Sequence, residues 1–350
     1  MRRLPSGYFI QSYKQDMAVI HTRHQWALAA AAAVFLLTLP LCVDEYYLSI
    51  LINIGIIIIA VLGLNILTGY CGQLSIAHAA FVAVGAYSSA LLTSELGFPF
   101  GLALPSAALI AGLAGILFGF TSLRFKGFYL VVSTLAAQVV ILFIISHWTS
   151  LTGGPLGYFT EYASIFGFEF HTNHRFYYLL LLVLTVGTFF AKNLARTKAG
   201  RAFVAVRDSE YAAESMGISP WASKLLAFFI GCAYAGVAGS MLAHWTATIS
   251  PDFFTLNQSI WYLGYIIVGG LGTTVGPFFG VSFFLILGEI LSFGVGELSK
   301  AYPQALEWVV TGKELLYGLI IMAFLILEPR GLAYRWELIK TWYRLWPFTY

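Results

Sequence analysis

Charge is scarce in this sequence. Asp, Glu, Lys and Arg make up 10% of its 350 residues, against about 25% in ordinary globular chains. Most of the remainder reads as apolar runs near or above the ~20 residues that cross a bilayer as helix. The shortage excludes a soluble globular protein, and a net charge of only +3 gives no reason to expect a nucleic-acid partner. Period-2 alternation is also missing, which excludes an outer-membrane barrel and leaves helices as the spanning elements. Cysteine is equally sparse: Cys42, Cys71 and Cys232 form no C-x-x-C pair and lie in or beside apolar runs. They read as small buried hydrophobes rather than metal or redox groups.

Two further absences bear on energy supply. A transporter driven by an ion gradient needs acids or bases at membrane depth, where each costs roughly 2.5–3.5 kcal/mol to insert and persists only for function. This chain offers little beyond Glu289 in "LILGEILSFG" and His78 in "SIAHAAF". For Glu289, interfacial snorkelling is the simpler reading. A phosphate-cradling G-x-x-x-x-G-K-[ST] loop is lacking too, since Gly312-Lys313-Glu314 has neither the upstream glycine nor the hydroxyl residue. The absent clusters of His, Asp or Glu at one membrane face argue against a membrane-embedded enzyme. Any ATP-derived power must therefore come from another subunit; the rival class is a stand-alone secondary transporter or channel.

What is present is an all-α integral membrane pattern. Apolar stretches at roughly 26–43, 47–68, 77–95, 101–122, 127–146, 176–193, 221–247, 258–271, 276–293 and 313–328 predict about ten transmembrane helices, within a range of eight to ten. With the N-terminus placed in the cytoplasm, sixteen of the nineteen Lys and Arg residues fall inside, leaving only Arg175, Lys300 and Lys313 outside. Both termini are therefore expected in the cytoplasm: an N-terminal segment over 1–25 and a tail over 329–350 flank one membrane domain over 26–328. The eighth stretch is short and runs straight into "VGGLGTTVGP", so this pair is expected to include a broken or re-entrant helix. Gly115 with Gly119, and Gly276 with Gly280, are spaced for close helix packing. "LTGGPLG" at 151–157 favours a tight turn in the longest outer loop.

Two polar islands interrupt the apolar background. The first, "GLNILTGYCGQLSIAHAAF", carries Asn65, Thr68, Gln73, Ser75 and His78 among glycines. These side chains suit a translocation pathway for a small neutral or zwitterionic solute, or equally a set of groups satisfying one another between packed helices. The second, "RTKAGRAFVAVRDSEYAAESMGISPWASK", spans Arg196 to Lys224 and forms the largest inner loop, with 194–220 as the projecting segment. Asp208 is positioned to cap a helix over 209–216, Gly217 suits a left-handed stop, and Ser219-Pro220 starts the next span. Arg207 and Glu210, three apart, are spaced to pair. A helix of two turns is too short to stand alone in water and needs neighbours or a docked partner. An ordinary positive-inside loop and a docking helix both fit these residues.

"GRAFVAVRDSEYAAESMG" resembles the cytoplasmic coupling segment of bacterial ABC importer permeases of the branched-chain amino acid type, the LivM-type subunit. "GLNILTGYCGQLSIAHAAFVAVGAYSSALL", "LTGGPLG", "GGLGTTVGPFFG" and "EPRGL" resemble that family's blocks in order, over most of the chain. The family's E-A-A-x-x-x-G pattern is here "YAAESMG", with Tyr211 where Glu is usual. The resemblance implies an ABC importer permease fold in the bacterial inner membrane and a coupling role for Arg201, Arg207, Asp208, Glu210, Ala213 and Gly217. It also implies a second, LivH-type permease, two cytoplasmic ATPase subunits that bind ATP and Mg, and a periplasmic substrate-binding protein that largely sets specificity. Leucine, isoleucine and valine are the implied solutes, with other amino acids, urea or aromatic acids as alternatives.

Overall fold

The computed structural model describes residues 23–122, 127–165, 168–301, 305–328 and 330–345. The predicted N-terminal segment up to residue 22, and Arg124 and Lys126 of the inside set, lie outside the described residues. All ten predicted stretches are helical. They correspond to α1 (Arg23–Cys42), α2 (Glu45–Leu64), α3 (His78–Ser94), α4 (Phe100–Ser122), α5 (Phe128–His147) and α6 (Asn173–Leu194). After the short α7 (Lys198–Asp208) and α8 (Glu210–Ser215) come α9 (Pro220–Thr246), α10 (Leu256–Gly269), α11 (Gly276–Ala301) and α12 (Ala305–Leu327), and then α13 (Gly331–Leu345).

Ten helical stretches are not ten full crossings by length. Among the described residues six helices are long and apolar enough to span a membrane, or seven if the pair Leu315–Leu327 and Gly331–Trp342, bent by 49°, counts as one. Local causes shorten the others. The chain between α2 and α3 is unwound, so α3 has only 17 residues. α10 stops after 14 residues at Gly270, whose φ of +114° does not continue a helix. The anticipated break near 258–293 lies at this glycine.

α2 is the central post, buried along most of its length, and it passes into a π-helical turn at Asn65–Tyr70. α3, α4 and α9 pack together on one side of it, α6 on another, and α10 and α11 on a third. Close approach explains the paired glycines. A Cβ at Gly115 would lie 2.6 Å from the Cys232 side chain, and one at Gly280 would run into the Tyr265 carbonyl. α1 lies at the periphery, where Pro40 leaves the Leu36 carbonyl without its helical N–H donor. Tyr177 Oη donates to that oxygen at 3.1 Å, tying α1 to α6.

The end of the bundle opposite the 195–219 segment carries the predicted tight turn. Gly153, Gly154 and Gly157 all have positive φ. The turn leads into β1 (Tyr158–Phe159), which pairs antiparallel with β4 (Thr248–Ile249); β2 (Ser164–Ile165) and β3 (Phe168–Glu169) form a second small pair.

Candidate functional site: two polar islands joined by Arg207

The 195–219 segment folds as two capped helices. Thr197 Oγ1 accepts the Gly200 N–H at 3.3 Å and opens α7. Ser209, at φ −162° and ψ 115°, breaks the chain, and its Oγ accepts the Ala212 N–H at 3.3 Å to open α8. The cap is therefore Ser209 and not Asp208. Asp208 is the last residue of α7, and its carboxylate instead accepts from Arg207 Nε and Nη2 at 3.1 and 3.0 Å. Gly217 closes α8 at φ +78°, with Ile218 N–H donating to Ala213 O at 3.0 Å. That is the six-to-one bond of a glycine-terminated helix. Ser219 Oγ then accepts from Ala222 N–H at 3.3 Å with Pro220 at the first helical position, as expected.

Tyr211 of α8 and Met216 just after it face the outside, 79% and 83% exposed, while Ala213 is buried. Arg201 is exposed, its Nη1 donating to Arg196 O at 2.9 Å. The expected pairing of Arg207 with Glu210 does not form. Glu210 Oε1 accepts from Lys224 Nζ at 2.5 Å, the lysine being 4% exposed near the start of α9. With its lysine this deep and its glutamate half-buried, the pair fixes α8 against α9, because the lysine charge left alone there would be costly.

Arg207 reaches the first island instead. Its Nη1 donates to the Gly69 carbonyl at 2.9 Å, an acceptor exposed by the π turn. Its aliphatic stem covers Gly72, where a Cβ would lie 2.7 Å from Arg207 Cγ, and φ is +74°. The same Nη1 would lie 3.2 Å from a Cβ on Gly272, so the guanidinium sits between the π turn and the 270–275 loop. Asn65 completes the junction: its Nδ2 donates to Thr273 O at 2.7 Å, and its Oδ1 accepts from Gly272 N–H at 2.9 Å. On the far side of that loop Gly331, at the start of α13, packs against Gly270.

The other residues of the first island are also buried. Thr68 Oγ1 donates to Gln73 O at 3.0 Å, and Gln73 Nε2 to Cys71 O at 3.3 Å. Ser75 Oγ accepts from Ala77 N–H at 3.3 Å. His78 Nε2 lies 2.7 Å from the Ala60 carbonyl. Because a carbonyl only accepts, Nε2 carries the proton and Nδ1 is the bare acceptor; it has no partner. Burial pushes the Cys71 thiol up to about 12, with Lys224 acting to lower it and Glu210 to raise it.

Several polar partners were not singled out by sequence reasoning. Gln138 of α5 accepts from Ala80 N–H at 3.0 Å and from Ser259 Oγ at 3.1 Å, and donates to Phe254 O at 2.8 Å. Ser259 Oγ also accepts from Ala79 N–H at 2.9 Å, so the buried start of α3 is capped by side chains from α5 and α10. The usable signal was a lone Gln within "LAAQVVIL". At the opposite end, Ser89 Oγ contacts Ser240 Oγ at 2.7 Å and His244 Nε2 at 3.0 Å, and His244 Nδ1 donates to Glu161 O at 2.8 Å. This sealed cluster ties the turn-rich loop to α3 and α9. Glu289 accepts from Tyr46 Oη at 2.8 Å, a partner invisible in local sequence.

Taken together, the two islands are joined by side chains: Glu210–Lys224 ties α8 to α9, and Arg207 ties α7 to the π turn after α2 and lies against the 270–275 loop.

A family model described as the branched-chain amino acid transport system / permease component matches residues 46–325. The high-affinity branched-chain amino acid transport system permease protein LivM of Escherichia coli K12 is 32% identical over 335 residues, covering 89% of this chain and 75% of that protein. Its counterpart in Salmonella typhimurium LT2 is 32% identical over 317 residues, covering 84% and 71%. A probable LivM of Methanocaldococcus jannaschii is 24% identical over 234 residues, covering 66% and 67%. No solved structure matches. The chain is a multi-pass membrane protein and belongs to the LivM-type permease family of branched-chain amino acid ABC transporters.

Proposed function

We propose that this chain is one of two permease subunits in an ATP-driven importer that carries branched-chain amino acids across the bacterial inner membrane. The observation that carries this reading is the projecting pair α7–α8, capped at both ends and clamped to the bundle by Glu210–Lys224 and Arg207–Gly69. Such a lever suits a groove in a cytoplasmic ATPase, with Arg201, Arg207, Asp208, Glu210, Ala213 and Gly217 transmitting nucleotide-driven closure. In this arrangement both termini and the 194–220 segment face the cytoplasm, and the "LTGGPLG" turn faces the periplasm.

The partners are a LivH-type permease, two ABC ATPases that hold ATP and Mg, a periplasmic binding protein, and membrane lipid. Hydrolysis occurs on the ATPases, so this subunit has a transport role. The route runs along the stretch containing Asn65, Thr68, Gln73, Ser75 and His78. Its few charges suit zwitterionic leucine, isoleucine and valine, and the same complex type would accommodate other amino acids, urea or aromatic acids with a different binding protein.

Co-expression with the neighbouring ATPases is expected to yield a complex whose hydrolysis rises when binding protein and solute are added. Gradient-driven uphill uptake by liposomes containing this chain alone would overturn the reading. So would a label at residue 210 reachable only from the periplasm.

A further inference from the structure

Residues 71–77 do not lead away from the bundle; they run back into it. His78 Nε2 meets the carbonyl of Ala60 at 2.7 Å, and Ala60 lies ten residues up the same rod from Tyr70, about 15 Å at 1.5 Å per residue. α5 provides a second ruler. Ile76 N–H donates to Thr134 Oγ1 at 3.2 Å and Ala80 N–H to Gln138 Oε1 at 3.0 Å. Gln138 stands near the middle of α5. Extended backbone thus enters the half of the bundle nearest α7–α8 and ends close to mid-depth.

The segment also has two faces. Gln73, Ser75 and Ala77 are buried, whereas Gly72 is exposed, Leu74 is 44% exposed and Ile76 is half-buried. Among the described residues the amides of Leu74 and Ser75 donate to no protein atom. Hydrocarbon provides no acceptor, so irregular backbone at this depth is tolerated only against protein or water. An open face here therefore borders water or another protein chain and not lipid.

We propose that the Leu74–Ile76 face lines the translocation route, with Leu74 as the side chain that narrows its cytoplasmic half. Gln73 and Ser75 then form the wall from behind. This rests on the permease reading and adds to it which side of the segment the solute meets.

The test uses the assembled complex with Cys42, Cys71 and Cys232 replaced by alanine, and single cysteines at 73, 74 and 75. Inside-out vesicles are treated with a charged methanethiosulfonate. Leu74→Cys should react about tenfold faster than Gln73→Cys or Ser75→Cys, because only its face borders water, and modification should block uptake. Leu74→Trp, at an exposed position that tolerates size, should also lose uptake. Equal rates at the three positions, or reaction of Leu74→Cys only with a lipid-soluble maleimide, would overturn the assignment. ATP-driven uptake by the unmodified wild-type complex is measured alongside, so a failed permease reading is separable from a wrongly assigned face.

Discussion

The two polar islands look alike in composition and differ in what their polarity does. In Arg196–Lys224 the signals are local: caps, a glycine stop and a proline start close turns within a few residues of themselves. In 63–78 the short bonds of Thr68, Gln73 and Ser75 are joined by one that crosses the molecule, from Asn65 to Thr273, 208 positions away. The first island sets the ends of a short helix. The second holds an irregular stretch of backbone inside a bundle where water is scarce. In a membrane protein, then, a polar residue marks either a surface or a joint, and only its partners tell which.

The largest effect is expected where the islands meet the membrane helices. Glu210→Ala leaves the buried Lys224 charge uncompensated, which costs about 3–5 kcal/mol when a buried pair is broken. It should abolish coupled uptake and lower the thermal midpoint of the purified complex. The pair Glu210→Gln with Lys224→Met should recover most of that stability; a double variant no better than the single would break the clamp argument.

Next comes Asn65→Ala, which removes the partner of a half-buried N–H and a half-buried carbonyl in the 270–275 loop, at the low end of about 1–3 kcal/mol. Both stability and uptake should fall. Reduced uptake with unchanged melting would instead move Asn65 from joint to pathway lining and blur the contrast between the islands.

Gly217→Val follows, since a β-branched residue at φ +78° carries a penalty of about 1–2 kcal/mol or more. Hydrolysis without matching uptake is the expected result, read by comparing ATPase and transport rates in proteoliposomes. The smallest effect separates neighbours: Ser209→Ala should weaken ATPase co-purification through loss of about 1 kcal/mol of capping, whereas Asp208→Ala should change it less. The reverse order would restore Asp208 as the cap.

Much of the fold was legible because its causes are short-range. All ten apolar stretches became helices, the Gly217 stop and the Ser219-Pro220 start appeared as read, and "LTGGPLG" formed its turn on three positive-φ glycines. The cap at 208 was displaced by one residue because Asp208 continues α7 and is held by its neighbour Arg207, a competition that propensity alone does not rank. The Arg207–Glu210 spacing suited a pair on a single helix. The break at Ser209 put the two residues on different helices and sent Arg207 to Gly69.

By itself the sequence determined that the chain is helical and lies in a membrane, and where its turns fall, since hydrophobicity, caps and backbone freedom act between near neighbours. Only the tertiary structure decided that residues 71–77 re-enter the bundle, which of their faces opens, and which side chains of α5, α10 and the 270–275 loop satisfy the rest. Those pairings depend on groups 58 to 208 positions apart being brought within hydrogen-bond reach, and no local pattern encodes such a meeting.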